Sequence, residues 1–366
     1  MPQALRALCL YRLTFTSTPQ YLLRPSDCRN ISTAIGPSLR KEIFRNRQTA
    51  QFYRCFHLSQ RVAASKRQPL SDAEELSLRK KAAKMAGDDH FLTLSCPDKA
   101  GIVYAVTGLL ARQNLTILDL QQFSDPDSKR FFMRVHFGHA SDLSALQDPL
   151  KKLAEEMEMD YQVRSVQEKP KVLVMVSKIG HCLNDLLFRV KSGQLKIDVP
   201  LIVSNHPDFE SLASSYGVPF HHLPVTKDTK EKQESQILEL ISKHNIDLVV
   251  LARYMQVLSP RLCSEMSGRI INIHHSFLPS FKGAKPYHQA YERGVKIIGA
   301  TAHFVTADLD EGPIIEQRVA RVDHAMSPKE LVEEGSNVES QVLAAAVKWW
   351  SEKRVFLNGA KTVVFN

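Results

Sequence analysis

Four short runs, KVLVMVS, VPLIVSN, DLVVLAR and RIINIHH, constrain this chain more than any other feature of it. Each is nearly continuous in apolar residues and rich in β-branched ones, whereas a strand with one wet face would alternate, so each must be covered on both sides. Between them lie HCLNDLLFRVKSG, PDFESLASSYG and TKEKQESQILELISKHN, with apolar residues at helical spacing. Strands alternating with helices predict a doubly wound, mostly parallel α/β sheet over residues 169–366. Sites in such sheets form beyond the carboxyl ends of the strands, so the chemistry is expected just after VVLAR and NIHH.

Residues 91–168 keep a different rhythm. FLTLSC alternates like a strand, VYAVTGLLARQN is helical, TILDLQQFSD and RFFMRVHFG are two further strands around a turn, LSALQDPLKKLAEEME is amphipathic, and YQVRSVQ closes the unit. That order is βαββαβ, the split ferredoxin-like arrangement. The turn CPDKAGI at 96–102 carries the D-x-x-G-I pattern, and Asn114 stands at the end of the first helix. On those residues the segment resembles an ACT domain. The resemblance implies an amino-acid effector site made by Asp98, Gly101, Ile102 and Asn114 between paired domains, hence a homo-oligomer. A glycine at a helix N-terminus, where free N–H groups suit a carboxylate, fits that use. The competing reading is a packing or dimerisation module without a ligand.

A formal charge of +9 raises nucleic-acid or membrane partners until its position is read. Residues 1–70 hold ten Arg and two Lys against Asp27 and Glu42, a local +10, so the remainder carries −1. That neutrality removes the case for nucleic acid. No run approaches the roughly 20 apolar residues that a bilayer-spanning helix needs, so no membrane partner is expected. The Arg-rich, acid-poor start resembles a mitochondrial presequence, expected over residues 1–56 and cleaved near His57, where Arg54 stands two before Phe56. Residues 57–90 read as a charged linker, and the mature protein is expected in the mitochondrial matrix. Cys96, Cys182 and Cys263 are far apart with no CxxC pair, which predicts ordinary buried thiols.

At the predicted strand ends stand INIHHSFLPSFKGAKPYHQAYERG and then IIGATAHFVTADLDEGPIIEQ. The two blocks resemble the folate-dependent formyltransferase family, whose members carry N-I-H-P-S-x-L-P-x-F-x-G and H-F-V-x-x-x-x-D-x-G in that order. The resemblance places the catalytic Asn, His and Asp on Asn272, His274 and Asp310. A carboxamide and a protonated imidazole can stabilise the oxyanion of a tetrahedral formyl intermediate, and the carboxylate can hold the imidazole and organise or deprotonate water. The resemblance also lines a pterin slot with Met255, Gln256, Val257 and Leu258 and with the loop holding Val305 and Asp308. His303 supports the catalytic loop, and Gly283 and Gly312 keep backbone close to the ligand. No metal or cofactor is expected, because His274 and His275 are adjacent and would face opposite sides of a strand.

One departure decides between reactions. At the first strand-to-helix turn the transferases carry G-T-G-S-N, which cradles the phosphate of the acceptor. Here the turn reads SKIGHCLN at 177–184, and the chain from Phe91 onward resembles the formyltetrahydrofolate deformylase family, which carries S-K-x-G-H-C-L there. That resemblance implies hydrolysis of 10-formyltetrahydrofolate, a small-molecule substrate, with water as acceptor. The alternatives are formyl transfer to an amine and a non-catalytic folate-binding regulator.

Overall fold

A computed structural model of the chain describes residues 89–138, 143–226, 228–279 and 286–366. The presequence, its cleavage point, nearly all of the linker and Gly283 lie outside the described residues.

The first sheet is built from β1 (His90–Pro97), α1 (Ile102–Arg112), β2 (Thr116–Asp125), β3 (Arg130–Gly138), α2 (Ser144–Met157) and β4 (Asp160–Ser165). Its strand order is β2-β3-β1-β4, so the βαββαβ pattern folds as expected. Alternation explains why: Leu92, Leu94 and Cys96 of β1 face inward and pack with Val106, Leu110, Leu146 and Leu150 from the two helices. Gly101 caps α1 with φ 93, a left-handed value that explains the glycine by backbone conformation.

The second sheet follows with β5 (Val172–Val176), α3 (His181–Lys191), β6 (Ile202–Ser204), α4 (Glu210–Ser215), β7 (Phe220–His222), α5 (Lys230–His244), β8 (Leu248–Leu251), α6 (Pro260–Glu265) and β9 (Ile270–His274). Then come α7 (Pro286–Glu292), β10 (Ile297–Phe304), β11 (Ile314–Arg321) and α8 (Pro328–Ser351), and a hairpin of β12 (Val355–Asn358) and β13 (Lys361–Val364). The order is β11-β10-β9-β8-β5-β6-β7. The strands β7, β6, β5, β8 and β9 run parallel, while β10 and β11 are antiparallel additions at one side.

The continuous apolar runs are covered on both faces. Val172, Val174 and Val176 of β5 pack into one core with Val342, Ala346 and Val347 of α8. Leu173 and Met175 pack into the other with Ile237 and Ile241 of α5. Helix α8 begins at Pro328, because Ser327 caps it in a reciprocal box with Glu330 and Pro328 stands in its first turn. Such a cap is worth about 1 kcal/mol.

Candidate active site

Strand β9 delivers Asn272 and His274 two residues apart, and therefore to one face. Antiparallel pairing of β10 with β9 sets His303 directly across from Asn272. Its Nδ1 donates to the Phe304 carbonyl at 2.9 Å, so Nε2 is left to accept from Asn272 Nδ2 at 3.2 Å. Burial pushes the His303 pKa down, which keeps the ring neutral in that tautomer. The Asn272 carboxamide is thereby fixed with one N–H spent on His303 and a second available to a ligand.

The loop from β10 to β11 brings the third group. Asp310 adopts a left-handed φ of 57, and its Oδ1 lies 3.3 Å from His274 Nδ1 and 3.8 Å from His303 Nε2. The hydrogen bond from His274 holds the Asp310 carboxyl below the usual carboxylate range. With Nδ1 engaged, His274 Nε2 is buried and has no hydrogen-bond partner among the described residues. Of the two nitrogens of that ring it is the one left to meet a reacting group. Gly312 acts differently from the expectation: a Cβ there would overlap the Phe304 carbonyl oxygen, and Gly312 is absent from the cavity wall. Its close approach is to backbone, at the carbonyl that orients His303, because β10 and β11 shift register at Ala302 and His303.

These groups open into a cavity of about 650 Å³. Met255, Gln256, Val257, Leu258, Val305 and Asp308 all line it, and Met255 and Val257 are 55% exposed, as walls awaiting an apolar ligand would be. His275 lines it too, with its ring 5.3 Å from that of His274. The expected opposition of the two rings fails because β9 ends at His274 and strand alternation does not carry past it. Burial, with Arg253 beside it, lowers the His275 pKa to about 4, so this ring is neutral.

Four further wall residues form a cluster that the sequence reading passed over. Glu339, 1% exposed, accepts from His181 Nε2 at 2.8 Å and Tyr287 Oη at 2.6 Å, and lies 3.5 Å from Arg253 Nε. Burial alone would raise its pKa, but these partners outweigh it and hold Glu339 ionised. His181, Cys182 and Glu339 offer three possible metal-ligand atoms within 4.8 Å of one another. The His181 and Glu339 atoms are spent on each other, however, and burial pushes the Cys182 thiol far up, which keeps it protonated. Cys96 and Cys263 are likewise buried free thiols.

Comparison with known proteins follows the same division of the chain. The formyl transferase family matches residues 170–347 and the ACT domain family matches residues 90–155. The formyltetrahydrofolate deformylase of Corynebacterium sp. (strain P-1) is 55% identical over 278 residues, covering 75% of this chain and 97% of its own. That of Bacillus subtilis is 44% identical, covering 75% and 93%. The chain belongs to the formyltetrahydrofolate deformylase family. A solved deformylase from Burkholderia mallei superposes with TM-score 0.74 at 56% identity, over 76% of this chain and all of its own. A glycinamide ribonucleotide transformylase from Symbiobacterium toebii reaches only 0.51 at 28% identity, over 54% of this chain and 95% of its own.

The ACT residues are less united than the catalytic ones. Asp98 accepts a bond from Ser124, Gly101 caps α1, and Ile102 is buried in the small core at 2% exposure. Asn114 sits beyond the other end of α1 with φ 55, about 20 Å from Gly101 at the usual rise per residue. Within one chain these four do not make one site. Of the residues missed, Gly335 left the faintest signal: a Cβ there would collide with the Tyr287 ring, so this helical glycine admits the tyrosine to Glu339.

Proposed function

We propose that this chain hydrolyses 10-formyltetrahydrofolate to formate and tetrahydrofolate, with Asn272, His274 and Asp310 carrying the reaction. The observation that bears the most weight is the set of fixed donors: an Asn272 amide held by His303, beside a His274 Nε2 left free by the Asp310 bond. The folate's pterin lies against Met255, Gln256, Val257 and Leu258 and the loop of Val305 and Asp308. Its formyl oxygen accepts from Asn272 Nδ2 and from protonated His274 Nε2. Water adds to the formyl carbon, the C–N10 bond breaks, and N10 takes a proton as formate leaves.

Asp310 has two tasks. A carboxylate held below its ordinary range is a weak base, so its larger contribution is to sustain charge on His274 while it orders water. The two donors stabilise an oxyanion that exists only along the reaction path, which is where fixed dipoles count most. No resident cofactor or metal takes part in this reading. The protein is a homo-oligomer whose ACT units, apart from packing, bind an amino acid. Leu118 and Phe123, on the edge strand β2, are 47% and 43% exposed and suit a partner copy. Among the described residues no helix is long and apolar enough to cross a membrane.

The deciding experiment is formate release by the purified protein from 10-formyltetrahydrofolate, repeated with individual amino acids and with the assembly state measured by light scattering. Formate without any added amine supports the hydrolase. Turnover only with an amine acceptor identifies a transferase, and folate binding without turnover identifies a regulator. Import into the mitochondrial matrix with cleavage near His57 rests on the +10 charge of residues 1–70. N-terminal sequencing of organelle-isolated protein would overturn it by finding Met1.

A further inference from the structure

Arg253 is an unusual residue for a strand end. It is 8% exposed, and its backbone stands at φ 65, a left-handed value costly for a residue with a side chain. The conformation is held by bonds from Ser177 N to the Arg253 carbonyl and from Met255 N to Ser177 Oγ. Arg253 lines the cavity, and its buried Nη1 has no hydrogen-bond partner among the described residues, while Nε has only the 3.5 Å approach of Glu339. A buried N–H left unpaired is a cost that a bound acceptor would remove.

A second feature meets it there. Helix α3, eleven residues long, begins at His181 with Gly180 as its N-cap and no capping side chain. Ile179 and His181 of this turn line the same cavity as Arg253. An uncapped helix N-terminus beside a guanidinium with an unbonded N–H attracts an anion. The turn is packed from behind: a Cβ on Gly180 would overlap the Phe209 ring, and one on Gly335 the Tyr287 ring. Stepwise contacts connect this corner to the catalytic group. The His275 ring is 5.3 Å from that of His274 and 6.2 Å from that of Tyr287, and Tyr287 bonds to Glu339.

We propose that Arg253 and the α3 N-terminus form a subsite for a small planar carboxylate, and that formate occupies it after the C–N bond breaks. The proposal rests on the hydrolase reading, in which R₂N–CHO and water give R₂NH, formate and one proton. The product is thus an anion born a few contacts from a guanidinium whose Nη1 has no hydrogen-bond partner among the described residues. Glu339 accepts from His181 and Tyr287 and so keeps both of those donors, and the Nε of Arg253, directed at itself, leaving Nη1 for the ligand.

The test uses the full chain and ¹³C-formate, with binding followed by NMR line broadening in the presence of tetrahydrofolate. Arg253→Met is expected to weaken formate at least about tenfold, the scale of one lost charge-assisted bond, with Arg253→Lys in between. Formate should inhibit wild-type turnover more strongly than acetate or propionate. Equal formate affinity in wild type and a folded Arg253→Met protein overturns the proposal, as does a large fall in turnover with formate binding unchanged, which would make Arg253 an oxyanion donor. Should Arg253→Met not fold, absence of saturable formate binding to the wild type overturns it alone. Hydrolysis with Arg253-independent formate binding removes only the subsite, whereas no formate release from 10-formyltetrahydrofolate removes the hydrolase reading itself.

Discussion

Two carboxylates on the wall of one cavity have opposite surroundings. Asp310 stands in a loop at a left-handed φ, partly open, with one imidazole at 3.3 Å and another at 3.8 Å. Glu339 stands within a long helix, 1% exposed, with a histidine, a tyrosine and an arginine around it. Both are held ionised, Asp310 chiefly by a single bond from His274 and Glu339 by several partners acting against its burial. The difference teaches what each can do. A carboxylate with acceptor capacity to spare can handle water and a changing charge on its neighbour, while one whose oxygens are already used can only hold other groups in place.

Replacing each carboxylate by its carboxamide should separate the two roles, and Asp310→Asn carries the larger expected effect. The uncharged group no longer sustains protonated His274, and its N–H₂ can turn toward Nδ1 and reverse the tautomer. Turnover should fall by about 10²–10⁴-fold. Folate affinity should stay within a few-fold, since the apolar wall is untouched, and melting should barely change at a half-buried loop position. Steady-state kinetics with folate titration checks this. An Asp310→Asn enzyme with near-normal turnover would make both carboxylates structural and move the base to Asp308, His275 or His303.

The same contrast explains what could be read from sequence. Asn272, His274 and Asp310 lie in two compact blocks whose order and spacing are visible along the chain, and the continuous apolar runs of β5, β8 and β9 announced the sheet that carries them. The Glu339 cluster draws on residues at 181, 253, 287 and 339, from three helices and the bend after β8, and no local pattern joins them. Strands β10 and β11 were missed as antiparallel additions because their segment was read for its histidine and aspartate and not for pairing. His275 was misplaced because periodicity says nothing about where a strand stops. Gly312 was given to the ligand because a glycine in a motif looks the same whether backbone or substrate approaches it.

Glu339→Gln should do the smaller harm to turnover and the greater harm to stability. Gln keeps an oxygen that can accept from Tyr287, but its N–H₂ must then face either His181 Nε2 or the Arg253 guanidinium, and the buried cation loses its counter-charge. Removing one partner of a buried ion pair outright costs about 3–5 kcal/mol, and an isostere that keeps some bonds should cost less, about 1–3 kcal/mol. Turnover at a temperature where the variant is folded should stay within about tenfold, because none of the cluster touches the reacting carbon. The pH dependence gives a second readout. The Glu339 pKa is lowered in the fold from 4.5, so its stabilisation is fully present above that value and is lost as pH falls through the lowered native one. Denaturant melts of wild type and Glu339→Gln should therefore differ by a constant amount from neutral pH down to about 4.5 and converge in more acid solution. A difference that persists unchanged into strong acid would mean that shape, not charge, is what Glu339 contributes, and the contrast with Asp310 would then rest on geometry alone.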